Sequence, residues 1–151
     1  MTRKAEDDLI EILYEIHTFA TGSYYEVFWY HWPRDGLFPW EDFEPIVFAF
    51  DYKQELCFVL VRRAWRPIIY NPEEVFWPPE VVFKGSNHHQ FIRKNSDASG
   101  EFPSFQSGMR SLSTDPSRVV RVSSGRSKID PWIIGDFYQK VEKALAESCE
   151  P

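Results

Sequence analysis

Cysteine is nearly absent: Cys57 and Cys149 are the only two in 151 residues. That excludes a disulfide-dense secreted scaffold and a four-cysteine zinc site. Apolar runs of the roughly 18–20 residues needed to span a bilayer are missing too, so no transmembrane helix is expected. Basic charge is in deficit, with 17 Lys and Arg against 23 Asp and Glu, a net −6. Bulk charge therefore argues against nucleic acid as a partner. The first residues, Met1-Thr2-Arg3-Lys4-Ala5-Glu6-Asp7-Asp8, turn acidic before any apolar stretch, unlike a secretory signal. A cytoplasmic protein is the expectation.

Apolar residues are plentiful, at 43%, and aromatic ones unusually so, at 17%. The length suits one domain, residues 1–151, able to bury a core. Leu9, Ile12, Leu13, Ile16, Phe19 and Ala20 recur at spacings of three and four. This spacing predicts an N-terminal helix over about 3–20, capped by Thr2 and stopped at Gly22. Tyr24 to Trp32, Pro45 to Asp51, Glu55 to Arg63 and Val81 to Phe83 read as strands, with a short pairing near Ile68-Ile69-Tyr70. Tyr52-Lys53-Gln54 fits a hairpin loop. Residues 85–117 lose periodicity and form a long Ser-rich loop. Arg118 to Val122 is a further short strand. Asp130 and Pro131 open a C-terminal helix whose stripe is Ile134, Phe137, Val141 and Leu145. The expected fold is α+β: an N-terminal helix, an antiparallel meander of four to five strands, the long loop and a C-terminal helix. The expected core includes Leu13, Ile16, Ile46, Phe48, Phe50, Leu56, Phe58, Leu60, Phe137 and Val141.

Pro78-Pro79-Glu80-Val81-Val82-Phe83, followed by His88-His89-Gln90-Phe91-Ile92, resembles the Pro-Pro-x-Val-x-Phe strand and later His-Pro-Asn-Ile of ubiquitin-conjugating enzymes. His89 and Ile92 match that family's His and Ile, whereas Gln90 and Phe91 replace its Pro and Asn. No cysteine lies between Cys57 and Cys149, so the family's nucleophile is lacking. The resemblance implies a ubiquitin-conjugating-like fold without catalysis and a protein-binding role.

Residues 81–128 hold eight basic side chains against three acidic ones, Asp97, Glu101 and Asp115. Arg93, Lys94, Arg121 and Arg126 are the candidate anion-binding residues in this segment. His88 and His89 are candidate acid–base groups, with Asp97 or Glu101 as a carboxylate backing His89. Adjacent residues of an extended chain point to opposite faces, so one metal would rarely take both histidines. No ligand spacing occurs elsewhere; neither metal nor cofactor is expected. Cys57 reads as a small hydrophobe in an apolar strand and Cys149 as an exposed tail residue.

Several aromatics fall at turns and loops. The Trp32–Phe43 and Trp65–Trp77 loops are candidate contact surfaces, with Trp32, Trp40, Phe43 and Trp77 as interface residues. The leading expectation is a non-enzymatic protein-interaction module or small assembly subunit, with a protein partner or a second copy in a homodimer. The alternative is an enzyme or anionic-ligand-binding protein with its site at His88, His89 and the basic segment 84–128.

Overall fold

The computed structural model describes residues 9–33, 41–63, 65–74, 80–84, 88–92, 106–111 and 116–149. Its centre is a sheet of six strands: β1 (Glu11–Thr18), β2 (Tyr24–Trp32), β3 (Asp42–Phe50), β4 (Leu56–Arg63), β5 (Arg66–Tyr70) and β9 (Val119–Arg121). The spatial order is β5-β4-β3-β2-β1-β9. The first five strands form an antiparallel meander, and β9 joins β1 in parallel, so the sheet is mixed. A second sheet holds β6 (Glu80–Lys84), β7 (His88–Ile92) and β8 (Gln106–Ser111) in the order β7-β6-β8. Strand β7 lies against β3 and β4. The chain ends in two helical pieces, α1 (Pro131–Ile134) and α2 (Phe137–Ser148).

Both faces of the large sheet are covered, and its sequence shows why. Side chains alternate across a strand. One face carries Leu13, Tyr25, Val27, Trp29, Val47, Phe58 and Leu60, packed against Ile133, Ile134, Phe137, Tyr138, Val141 and Leu145 of the helices. The other carries Ile12, Tyr30, Trp32, Ile46, Val59, Val61 and Tyr70. Strands buried on both faces read as near-continuous apolar runs, as Leu56 to Val61 does. Each large apolar side chain hidden this way contributes about 1.5–3 kcal/mol.

The expected N-terminal helix is not formed: residues 11–18 are strand β1. Ile12 packs on one face of the sheet and Leu13 on the other. A strand with two apolar faces produces adjacent apolar pairs, and these mimic the three-and-four spacing of a helix. The expected arrangement of the meander is corrected in two further ways. Val81 to Phe83 belongs to the second sheet, not to the meander, and the large sheet gains β1 and β9 in its place. Segments of the expected long loop, Gln106–Ser111 and His88–Ile92, are strands flanking β6.

The hairpin at Tyr52-Lys53-Gln54 forms. Asp51 Oδ1 accepts from the backbone N–H groups of Lys53 at 2.8 Å and Glu55 at 3.0 Å. The expected C-terminal helix is broken at Gly135, whose φ of 54° cannot continue an α-helix. Of the expected core, Leu13, Ile46, Phe58, Leu60, Phe137 and Val141 are buried, while Ile16, Phe48, Phe50 and Leu56 are half-buried. Cys149 is buried at 6% exposure instead of lying in an exposed tail. Among the described residues, no helix is long and apolar enough to cross a membrane.

Candidate functional site at the helix break

The short helix α1 is held from below and open above. Pro131 sits in its first turn, where a missing N–H costs nothing. Ile133 and Ile134 are buried against the sheet. Trp132, between Pro131 and Ile133, turns outward and is 50% exposed. Its neighbour comes from the β4–β5 turn. Trp65 is 51% exposed, and its ring centroid lies 6.2 Å from that of Trp132. Trp65 adopts φ 70°, a left-handed conformation unfavourable for a bulky residue.

Arg62 fastens this turn to α1. Its Nη1 donates to the Ile133 carbonyl at 2.6 Å and its Nη2 to the Phe43 carbonyl at 3.3 Å. The guanidinium also sits 4.8 Å from the Trp65 ring centroid, 5.5 Å from Trp29 and 5.8 Å from Phe137. Burial pulls its pKa below the usual arginine value, and Glu44, Asp42 and Asp136 oppose that pull. Lys140 completes the rim: its Nζ donates to the Trp65 carbonyl at 3.4 Å and meets Asp136 at 3.3 Å. The crevice beneath, beside Arg62, Trp65 and Ile134, has a volume of only about 10 Å³. That is about one water molecule, not a substrate.

A wider cleft opens on the other side of the helix break. It has a volume of about 370 Å³ and is lined by Arg126, Pro131, Gly135, Asp136, Tyr138 and Gln139 among others. Under it lies a buried polar cluster. Glu15 is fully buried on β1 and accepts hydrogen bonds from the Tyr138 hydroxyl at 2.5 Å, from Trp29 Nε1 at 3.4 Å and from the Gly125 N–H. His17 Nε2 is 3.4 Å from the same carboxyl, and the His17 ring stacks on Tyr25 at 4.6 Å. The Tyr25 hydroxyl donates to Glu142 Oε1 at 3.4 Å. Burial, then Glu15, pushes the Tyr138 phenol well above the ordinary tyrosine range. Tyr138 therefore stays protonated at neutral pH and serves as a donor. The cluster ties β1, β2 and α2 together, with His17 Nε2 beside the carboxyl but making no hydrogen bond.

Gly125 is required by closeness. A Cβ there would meet the Tyr138 hydroxyl at 2.6 Å and Trp29 Nε1 at 2.7 Å. The turn Gly125–Ser127 is capped by Ser124, whose Oγ accepts from the Arg126 N–H at 3.2 Å. This places the Arg126 guanidinium 4.5 Å from the Tyr138 ring, at the edge of the cleft.

The sequence-predicted site residues are only partly within the described residues. His88 and His89 lie on β7, opposite Lys84 and Phe83 of β6. Asp97, Arg93, Lys94, Trp40 and Trp77 lie outside the described residues. Arg121 is exposed on β9 and stands 5.8 Å from the Tyr14 ring. Tyr14 packs on Phe28, on the sheet face away from Tyr138, so Arg121 and Arg126 do not share a site. Trp32 and Phe43 are buried within this chain rather than offered to a partner. Trp32 stacks with Tyr30, and Phe43 stacks with His31 at 4.1 Å. Among the described residues, no group of three or more His, Cys, Asp or Glu is placed to hold a metal ion.

Trp65, Trp132 and Lys140, which form the surface, and the buried Arg62 beneath them carry little signal in sequence. Trp65 opens the second aromatic loop, but only the backbone pairing of β4 with β5 shows it to be a turn residue facing out. No family model matches the chain, and no curated protein or solved structure matches it.

Proposed function

We propose that the chain is a non-enzymatic protein-interaction module whose contact surface centres on Trp65 and Trp132. The carrying observation is the pairing of two half-exposed tryptophans from separate elements, one of them held at φ 70°. A tryptophan kept at the surface in a strained turn contributes little to the core. Large, rigid aromatics of this kind dominate binding energy at protein interfaces. Lys140, Asp136 and Arg126 supply a mixed-charge rim. The cytoplasm is the compartment this reading favours, in keeping with two cysteines and no disulfide framework.

The test compares wild type with the Trp65→Ala, Trp132→Ala double variant. Sedimentation reads self-association, and recovery from lysate followed by reconstitution with the purified partner reads a heterologous complex. The variant should keep its circular dichroism spectrum and weaken the complex at least about 30-fold, the loss of a hot spot of roughly 2 kcal/mol. A monomeric wild type with no reconstituted complex, or equal binding by both proteins, would overturn the reading.

The ligand-binding alternative keeps one supporting observation. The cleft beside Arg126, about 370 Å³, has the size of a small-molecule site. Calorimetric titration with inorganic phosphate, repeated on Arg126→Gln, tests it; heat in wild type that vanishes in the variant supports it.

A further inference from the structure

The two cysteines start far apart in sequence and end side by side. Cys57 lies on β4, half-buried, with its Sγ 3.7 Å from the Glu55 carbonyl. Cys149 caps the C-terminus of α2, its N–H donating to the Leu145 carbonyl at 2.8 Å. Both are free thiols, and both pack in the same cluster between sheet and helix. Cys57 packs against the buried cluster that contains Cys149, and the Cys149 side chain acts on the Cys57 thiol as a hydrogen-bonding neighbour that lowers its pKa. These are the only two cysteines in 151 residues. Neither is needed for the tryptophan surface or the Glu15 cluster.

We propose that Cys57 and Cys149 form a reversible intramolecular disulfide that locks the end of α2 onto β4. The oxidant is a small disulfide such as oxidised glutathione. The Cys57 thiolate, the more exposed of the two, attacks one sulfur of that disulfide. A mixed disulfide forms, and one small thiol leaves. The Cys149 thiolate then attacks Cys57 Sγ and expels the second small thiol. The two protein thiols lose two electrons and two protons, and the small disulfide is reduced to two thiols. Burial foremost, with Asp51 and Glu55 adding, holds the Cys57 thiol above the ordinary cysteine value, against the effect of Cys149. Little thiolate exists at neutral pH, so the exchange is slow and answers to sustained rather than brief oxidation.

The test exposes folded, full-length protein to oxidised glutathione. Free-thiol titration should fall from two per chain to none, and the intact mass should drop by two hydrogen atoms. Peptide mapping should show Cys57 joined to Cys149, and dithiothreitol should restore both thiols. The thermal midpoint should rise in the oxidised form, because the link closes a long loop of the unfolded chain. In Cys149→Ser, Cys57 should remain as the glutathione adduct. In Cys57→Ser, the buried Cys149 should react at least tenfold more slowly than Cys57 does in Cys149→Ser. Wild type that keeps both thiols, stops at the adduct, links only between chains or closes the bond only in urea would overturn the proposal.

Discussion

Glu15 and Tyr138 are 123 positions apart in the chain, yet the Tyr138 hydroxyl donates to the Glu15 carboxyl at 2.5 Å. That bond joins the first strand of the sheet to the helix that covers it. Removing the acceptor leaves the buried Tyr138 hydroxyl and Gly125 N–H without it, while Trp29 Nε1 keeps its bond to the Tyr138 hydroxyl at 3.3 Å. A buried donor left unsatisfied costs roughly 1–3 kcal/mol. Glu15→Ala should therefore lower stability by about 3–5 kcal/mol, allowing for partial rehydration of the cavity. Tyr138→Phe removes one donor and should cost only about 1–2 kcal/mol. Urea unfolding of both variants checks the order; equal losses would show that Glu15 is not the hub.

Gly125→Ala tests the closeness of the turn to the same cluster. The new methyl would meet Tyr138 and Trp29 well inside contact distance. Overpacking of this kind costs about 1–3 kcal/mol. The Trp29 environment should shift as well, so near-ultraviolet circular dichroism should change along with the midpoint. An unchanged spectrum would place Gly125 elsewhere.

Glu26 gives a pH prediction with a definite sign. Burial raises its carboxyl pKa above the ordinary value, and the Tyr14 hydrogen bond only partly offsets this. Between the unfolded and folded pKa the folded chain holds a proton that the unfolded chain has released. The stabilisation from that proton is complete below the unfolded pKa and is lost as pH rises through the folded pKa. Glu26→Gln should raise the thermal midpoint relative to wild type at neutral pH, and the difference should disappear below about pH 4. Thermal melts across pH measure it. A variant less stable than wild type at pH 7 would contradict the assignment.

Leu60 sits in the middle of the large sheet, paired with Val47 on one side and Ile69 on the other. It is buried against the helices. Leu60→Ala should cost about 2–5 kcal/mol, the range for large-to-small core changes. A denaturation midpoint that does not move would put this side chain outside the core.

Local patterns carried the β3–β4 hairpin and hid the rest. The hairpin between β3 and β4 was legible because Asp51 and the following polar residues form a turn between two apolar runs. Strand β1 was not, because Ile12 and Leu13 serve opposite faces and Glu15 is a polar residue that the core accepts. Burying Glu15 makes sense only once Gly125 and Tyr138 arrive, and neither is near it in sequence. The aromatic content raised the prospect of loop aromatics outside the core, but Trp32 and Phe43, two of the residues it singled out, are buried, and Trp65 and Trp132 are exposed instead. Trp32 and Trp65 look alike in composition and context; strand register buries the first, and a place just before β5 exposes the second.

The parallel pairing of β1 with β9 has a consequence for the growing chain. On a ribosome, β2, β3, β4 and β5 can zip in the order they emerge, each onto its predecessor. Strand β1 can join β2 early, but its other edge stays bare until residues 119–121 are made. The donors that satisfy Glu15 from Gly125 and Tyr138 come later still. Until then a strand with two apolar faces has an open edge and a solvated carboxyl. Glu15, which welds the finished protein, is in the nascent one a charged guard against premature strand pairing with a neighbouring chain.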